Sequence, residues 1–203
     1  MASTATPYGA EPIGHMSANG SFSGKVNPYP IATTYGTQIS NGDFVYLLVD
    51  GTIAKDTGTT TLQAGLIGIF TGCSYTDPTT GQYTNSNYWP ASNAATDAVA
   101  HVMDDPYVHF RMQGNGAITQ ASLQANIAIV VTAGDTIFGK SRNALNAATD
   151  AATATLPIRI VGFVDGPDSA VGDDYTDCIC RFNGYHLNMS LYAATPGTGL
   201  ALS

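Results

Sequence analysis

Asp43-Phe44-Val45-Tyr46-Leu47-Leu48-Val49-Asp50-Gly51 (DFVYLLVDG) decides the fold class. An apolar run rich in β-branched and aromatic residues stops after a few positions at an Asp-Gly pair. A run this short and of this make-up is a strand, not a helix. Asp-Gly supplies the positive φ of a tight hairpin turn. Outward from this run the same alternation recurs. Residues 66–70 and 73–76 read as strand, followed by a turn at Asp77-Pro78-Thr79-Thr80-Gly81. Residues 82–89 resume the extended pattern up to Pro90. Residues 98–103, a turn at Asp104-Asp105-Pro106, and residues 107–113 predict a second hairpin. Residues 158–164 and 175–182 predict a closing pair joined by an acidic loop over 165–174. Short helices are predicted at 119–126 and within 142–152, with a strand over 127–132 between them.

Composition agrees. The chain has 203 residues, 44% of them hydrophobic and only 11% charged, which suits one domain with a real core. It has a single Glu (Glu11) and three Lys (Lys25, Lys55, Lys140). Helical surfaces favour Glu and Lys, whereas Thr, Asn, Gly and Tyr suit strands and turns. The expected fold is all-β, a mainly antiparallel sandwich or small barrel with short helices only. Three segments are expected: an extended N-terminal arm (1–30), one β-rich domain (31–183) and a polar C-terminal tail (184–203). In the arm, Pro7, Pro12, Pro28 and Pro30 alternate with Gly9, Gly14, Gly20 and Gly24. Such a segment is extended and buries Tyr8, Ile13 and Tyr29 only against something else. It is expected to be removable without loss of the fold.

A formal charge of −8 argues against nucleic acid as a partner, since such binding draws on Lys and Arg at phosphates. The longest apolar stretch, 127–131, is far too short to span a bilayer. The first residues are not a basic segment followed by an apolar run, so no secretory signal is expected. Cys73, Cys178 and Cys180 are an odd count, and the last two project to one side of a strand. They read as three free thiols of a protein made in a reducing cytoplasm.

Gly134-Asp135-Thr136-Ile137-Phe138-Gly139-Lys140-Ser141 matches G-x-x-x-x-G-K-[ST], the phosphate-cradling P-loop. In that role Lys140 would reach phosphate oxygens and Ser141 would hold Mg²⁺. The context opposes it. A P-loop needs a parallel α/β sheet with crossover helices. The match begins at residue 134, and the following segment offers only Leu145 as a large apolar residue. It reads as a loop bounded by Gly134 and Gly139, so no cofactor is expected.

Other constellations are weaker. His101 and His109 flank Asp104 and Asp105, and on a hairpin they would approach one another, but no third metal ligand is fixed by spacing. Asp165, Asp168, Asp173, Asp174 and Asp177 crowd one region without the spacing of a calcium loop. Trp89 with Tyr83 is a candidate sugar platform, although a buried strand-end aromatic explains Trp89 better. Neither catalysis nor a metal site is expected.

Short motifs through most of the chain, from about Thr4 to Asn183, carry a resemblance. They are Thr6-Pro7-Tyr8-Gly9 with Pro12 and Gly14, Tyr29-Pro30-Ile31-Ala32, Asn41-Gly42-Asp43, Asn87-Tyr88-Trp89-Pro90-Ala91-Ser92, Asp104-Asp105-Pro106 and Leu156-Pro157-Ile158-Arg159-Ile160-Val161-Gly162. Together they resemble head decoration (cement) proteins of tailed bacteriophages. The resemblance implies a non-enzymatic virion protein on the outer capsid surface, commonly trimeric, whose partners are the major capsid protein and its own copies. It implies capsid contacts through the arm, with Pro7, Tyr8, Ile13 and Tyr29 as candidates. It gives the three cysteines no role. Two other readings are a tail or fibre module that binds host glycans and a P-loop nucleotide-binding protein.

Overall fold

The computed structural model describes residues 4–15, 24–62 and 66–183. Its strands are β1 (Glu11–His15), β2 (Asn27–Pro30), β3 (Phe44–Leu47), β4 (Ile53–Lys55), β5 (Leu66–Thr76), β6 (Tyr83–Ser86), β7 (Val99–Met103) and β8 (Val108–Gln113), then β9 (Asn126–Ile127), β10 (Ile129–Val130), β11 (Ala144–Leu145), β12 (Ile158–Phe163) and β13 (Asp177–Phe182). The fold is all-β, with antiparallel sheets packed together.

The deciding run forms β3 and turns into β4, antiparallel to it. Asp50 fixes the turn by accepting bonds from the Thr52 N–H (2.9 Å) and hydroxyl (2.7 Å). These strands belong to a six-stranded sheet in the order β2-β7-β5-β3-β4, with β6 also paired to β5. A parallel bridge from Ile31 to Ile53 brings the end of β2 against β4, so this sheet curls on itself. Its inner face buries Val45, Ile53, Phe70, Trp89 and Val102. The opposite face packs on a five-stranded sheet, ordered β1-β8-β13-β12-β9. Alternation along the strand assigns the faces: Val45 points into the curl, and its neighbour Phe44 points between the sheets. There Phe44 meets Phe110 and Phe182 with ring centroids 5.7 and 5.4 Å away, and those two lie 5.2 Å apart. Edge-on aromatic packing of this kind ties one sheet to the other.

The closing pair forms as expected, β12 against β13. The second hairpin does not. β7 pairs with β2 and β5 in the curled sheet, whereas β8 pairs with β1 and β13 in the other. Asp104-Asp105-Pro106 reverses the chain but carries it between layers. The cause is burial: Ala100 and Val102 fill the curl, while Val108, Phe110 and Met112 fill the space between sheets.

Neither helix expected at 119–126 or within 142–152 forms. The first is a single 3₁₀ turn, Gln120–Ser122, and the second is β11 followed by a 3₁₀ turn, Ala147–Thr149. Both segments lack an apolar stripe of helical period. Instead Ile118, just before the first, and Leu145, within the second, enter the core between the sheets.

The arm also departs from expectation. It is extended, but its described parts pair with the chain's own sheets: β1 lies on β8 and β2 lies on β7. Ala10, 1% exposed, is part of the core. Gly9 sits at φ +75°, with Ser141 packed where a Cβ would project. Its N–H bonds the Asn143 carbonyl at 3.2 Å, and the Ala10 N–H bonds the Gly42 carbonyl at 2.9 Å. In β2, Pro28 and Pro30 alternate with residues that donate inward, as Ile31 does to the Ala98 carbonyl at 3.0 Å. Proline fits an edge strand where its missing N–H would point away from the sheet. The tail, 184–203, lies outside the described residues.

Candidate functional site: the 134–142 loop

The P-loop match connects β10 to β11, two strands that pair with each other. No helix opens after Lys140, so the dipole and free N–H groups that would hold phosphate are not assembled there. Ser141 is fully buried, and its hydroxyl donates to Asp43 Oδ1 at 2.7 Å. Asn143 Nδ2 donates to the same oxygen at 3.1 Å. Asp43 Oδ2 accepts the Ser40 N–H at 2.8 Å and meets Lys55 Nζ at 2.9 Å. The ion pair is almost wholly out of water, with side-chain exposures of 0% for Asp43 and 6% for Lys55. A carboxylate so placed is tolerated only when donors surround it. Ser141 therefore holds the fold together, joining the loop to the first residue of the deciding run. Lys140 is exposed, and its backbone bridges Asn41. Gly134 packs on Ser40, whose hydroxyl occupies the place of a Cβ.

Between the two glycines the loop is tightly held. Asp135 Oδ1 accepts the N–H groups of Ile137 (2.7 Å) and Phe138 (2.8 Å), and Oδ2 accepts from Arg142 Nη2 at 2.6 Å. The Phe138 and Ile137 amides, with the Arg142 guanidinium, hold its carboxyl below the ordinary range. Gln38 Nε2 donates to the Asp135 carbonyl at 3.0 Å, and Asn87 Nδ2 to the Phe138 carbonyl at 2.6 Å. Gly139, at φ +66°, lies against the Tyr88 ring with no room for a Cβ. At the tip, Ile137 is 79% exposed and Phe138 71%. The sequence reading passed over these two residues. Their signal was an apolar pair in an otherwise polar, Gly-bounded loop.

The arm candidates divide. The Tyr8 hydroxyl donates to Asp177 Oδ1 at 3.0 Å, and its ring lies 5.0 Å from the Arg111 guanidinium. Burial, then the Asp177 charge, raises that hydroxyl far above its usual range. The Tyr29 hydroxyl donates to Asp104 Oδ2 at 2.7 Å, and burial with that bond pushes it up to about 12. Both tyrosines are thus engaged by their own chain, against the expectation that the arm needs another surface to cover them. Pro7 is partly covered, and Ile13 is exposed.

His101 and His109 belong to different sheets, so no hairpin brings them together. His101 Nε2 lies 3.2 Å from the Ser74 hydroxyl. Trp89 is buried, donates from Nε1 to the Tyr35 carbonyl at 3.1 Å and packs edge-on against Tyr75, which removes it from any sugar platform; Tyr83 is exposed. Asp165, Asp168 and Asp174 are exposed. Among the described residues no group of three or more His, Cys, Asp or Glu gathers to hold a metal, and no helix is long and apolar enough to cross a membrane. Cys73, Cys178 and Cys180 are free and buried. Burial pushes the Cys73 and Cys178 thiols up to about 12 and Cys180 well above its usual value.

No protein-family model, curated protein or solved structure matches the chain.

Proposed function

We propose that this chain is a capsid decoration (cement) protein of a tailed bacteriophage. In this reading it is made in the host cytoplasm, has no enzymatic role, binds the outer surface of the major capsid lattice as a homotrimer and stabilises the head. The observation that carries the proposal is the cross-tied body. The N-terminal segment is an edge strand of both sheets, and the Ser141 hydroxyl ties the distant 134–142 loop to Asp43, which a buried ion pair with Lys55 holds beside β3 and β4. A protein that braces a shell must carry load without local opening, and ties between its layers serve that task. The motif resemblance supports the same reading. The Ser141 and Trp89 environments turn the two alternatives away from these residues: one is tied into the core and the other is covered.

Repeated weak contacts on a lattice add through effective concentration, so each copy can bind modestly and still brace the head. The test is thermal release of DNA from heads with and without this protein. Heads that carry it retain DNA to a higher temperature; equal release temperatures would remove the stabilising role.

A further inference from the structure

The two side chains at the tip of the 134–142 loop stand clear of the core, yet the backbone that carries them is fixed at every turn. Asp135, Gln38, Asn87 and Gly139 hold the backbone, so ordering it on contact costs little. Ile137 and Phe138 are consecutive, and both stand in water. Fully burying side chains of this size is favourable, and rigid apolar anchors seated in pockets dominate protein interfaces. The surroundings also carry a sign. In a chain of net charge −8, two of the seven basic residues, Lys140 and Arg142, lie within four positions of the tip; Asp135 balances Arg142, which leaves Lys140 to set the sign. Lys140 is exposed, and the Arg142 side chain is 54% exposed while paired with Asp135. A complementary surface is apolar at its centre and acidic at its rim.

We infer that residues 135–142 form an anchoring knob that inserts Ile137 and Phe138 into an apolar, carboxylate-rimmed pocket on a shell subunit. The inference rests on the decoration reading and replaces the arm as the principal contact. A bilayer is the poorer fit, because anionic lipid recruits clusters of Lys and Arg and repels a chain of this charge.

The test is co-sedimentation of the full chain with heads that lack it, comparing wild type, the double variant Ile137→Ser/Phe138→Ser, and Lys140→Glu. Circular dichroism and light scattering check that each variant keeps the wild-type fold and mass. The double variant is expected to bind at least about 30-fold more weakly, the loss of a hot-spot anchor. Lys140→Glu is expected to bind severalfold more weakly and, with a carboxylate now facing the carboxylate rim, to bind better as salt rises. Wild type that fails to bind heads overturns the decoration reading and this assignment together. Wild type that binds, with the double variant binding equally well, overturns the knob alone. A double variant that instead loses self-association assigns the tip to a second copy. Flotation with phosphatidylglycerol vesicles by wild type but not the variant assigns it to lipid. Either result overturns the inference.

Discussion

The Ser141 hydroxyl donates to Asp43 Oδ1 at 2.7 Å, a bond between residues 98 positions apart that joins the end of a P-loop-like motif to the start of the deciding strand. Asp43 gathers four donors in a dry site: Ser40, Lys55, Ser141 and Asn143. The two halves of the ion pair are therefore unequal. Asp43→Ala strands a buried ammonium and removes the common acceptor, at an expected cost of about 3–5 kcal/mol. Lys55→Met leaves Asp43 its other three donors and should cost less. Urea titration of both variants checks the order; equal or inverted losses would mean that Lys55, not Asp43, organises the site.

The N-terminal segment is part of the fold, so its removal should not be silent. Deletion of residues 1–15 takes away β1, the buried Ala10 and the Tyr8–Asp177 bond. The truncated chain is expected to lose its near-ultraviolet dichroism or fail to accumulate. Gly9→Ala, at positive φ and against Ser141, should cost about 1–3 kcal/mol. A truncated protein that melts like the full chain would show the segment to be dispensable.

Native protein should resist thiol reagents. Cys73, Cys178 and Cys180 are buried, and burial raises all three above the usual thiol range, so little thiolate exists at pH 8. A chromogenic disulfide should titrate none of them in the native protein and all of them in guanidinium. Fast native labelling would place at least one at the surface.

His109 should make stability fall in mild acid. Burial, with Arg181 and His15 nearby, lowers its proton affinity in the folded state. A lowered folded value means that its contribution is present above the unfolded value of about 6.5 and is lost as pH falls through the folded value. Urea midpoints for wild type should drop between pH 7 and pH 5 by more than those of His109→Gln. Parallel pH profiles would show that His109 does not couple to folding.

Strand positions were legible because β-rich runs ended at turn residues, as at Asp50-Gly51. Pairing was less so. Asp104-Asp105-Pro106 states that the chain reverses; which layer receives β8 depends on where Phe110 finds Phe44 and Phe182, a contact between distant segments. The arm misled because its prolines suggest an unpaired coil, yet Pro28 and Pro30 on alternate positions also mark an edge strand. The Asp43 site was invisible, since nothing local links it to Ser141 or Lys55. Ile137 and Phe138 were in plain view but hidden by the motif around them.

The central proposal is that this chain coats a capsid. On the proposed reading, quantitative mass spectrometry of gradient-purified phage particles measures its copy number against the major capsid protein. The account predicts abundance comparable to the major capsid protein. A few copies per particle, or none, would contradict it.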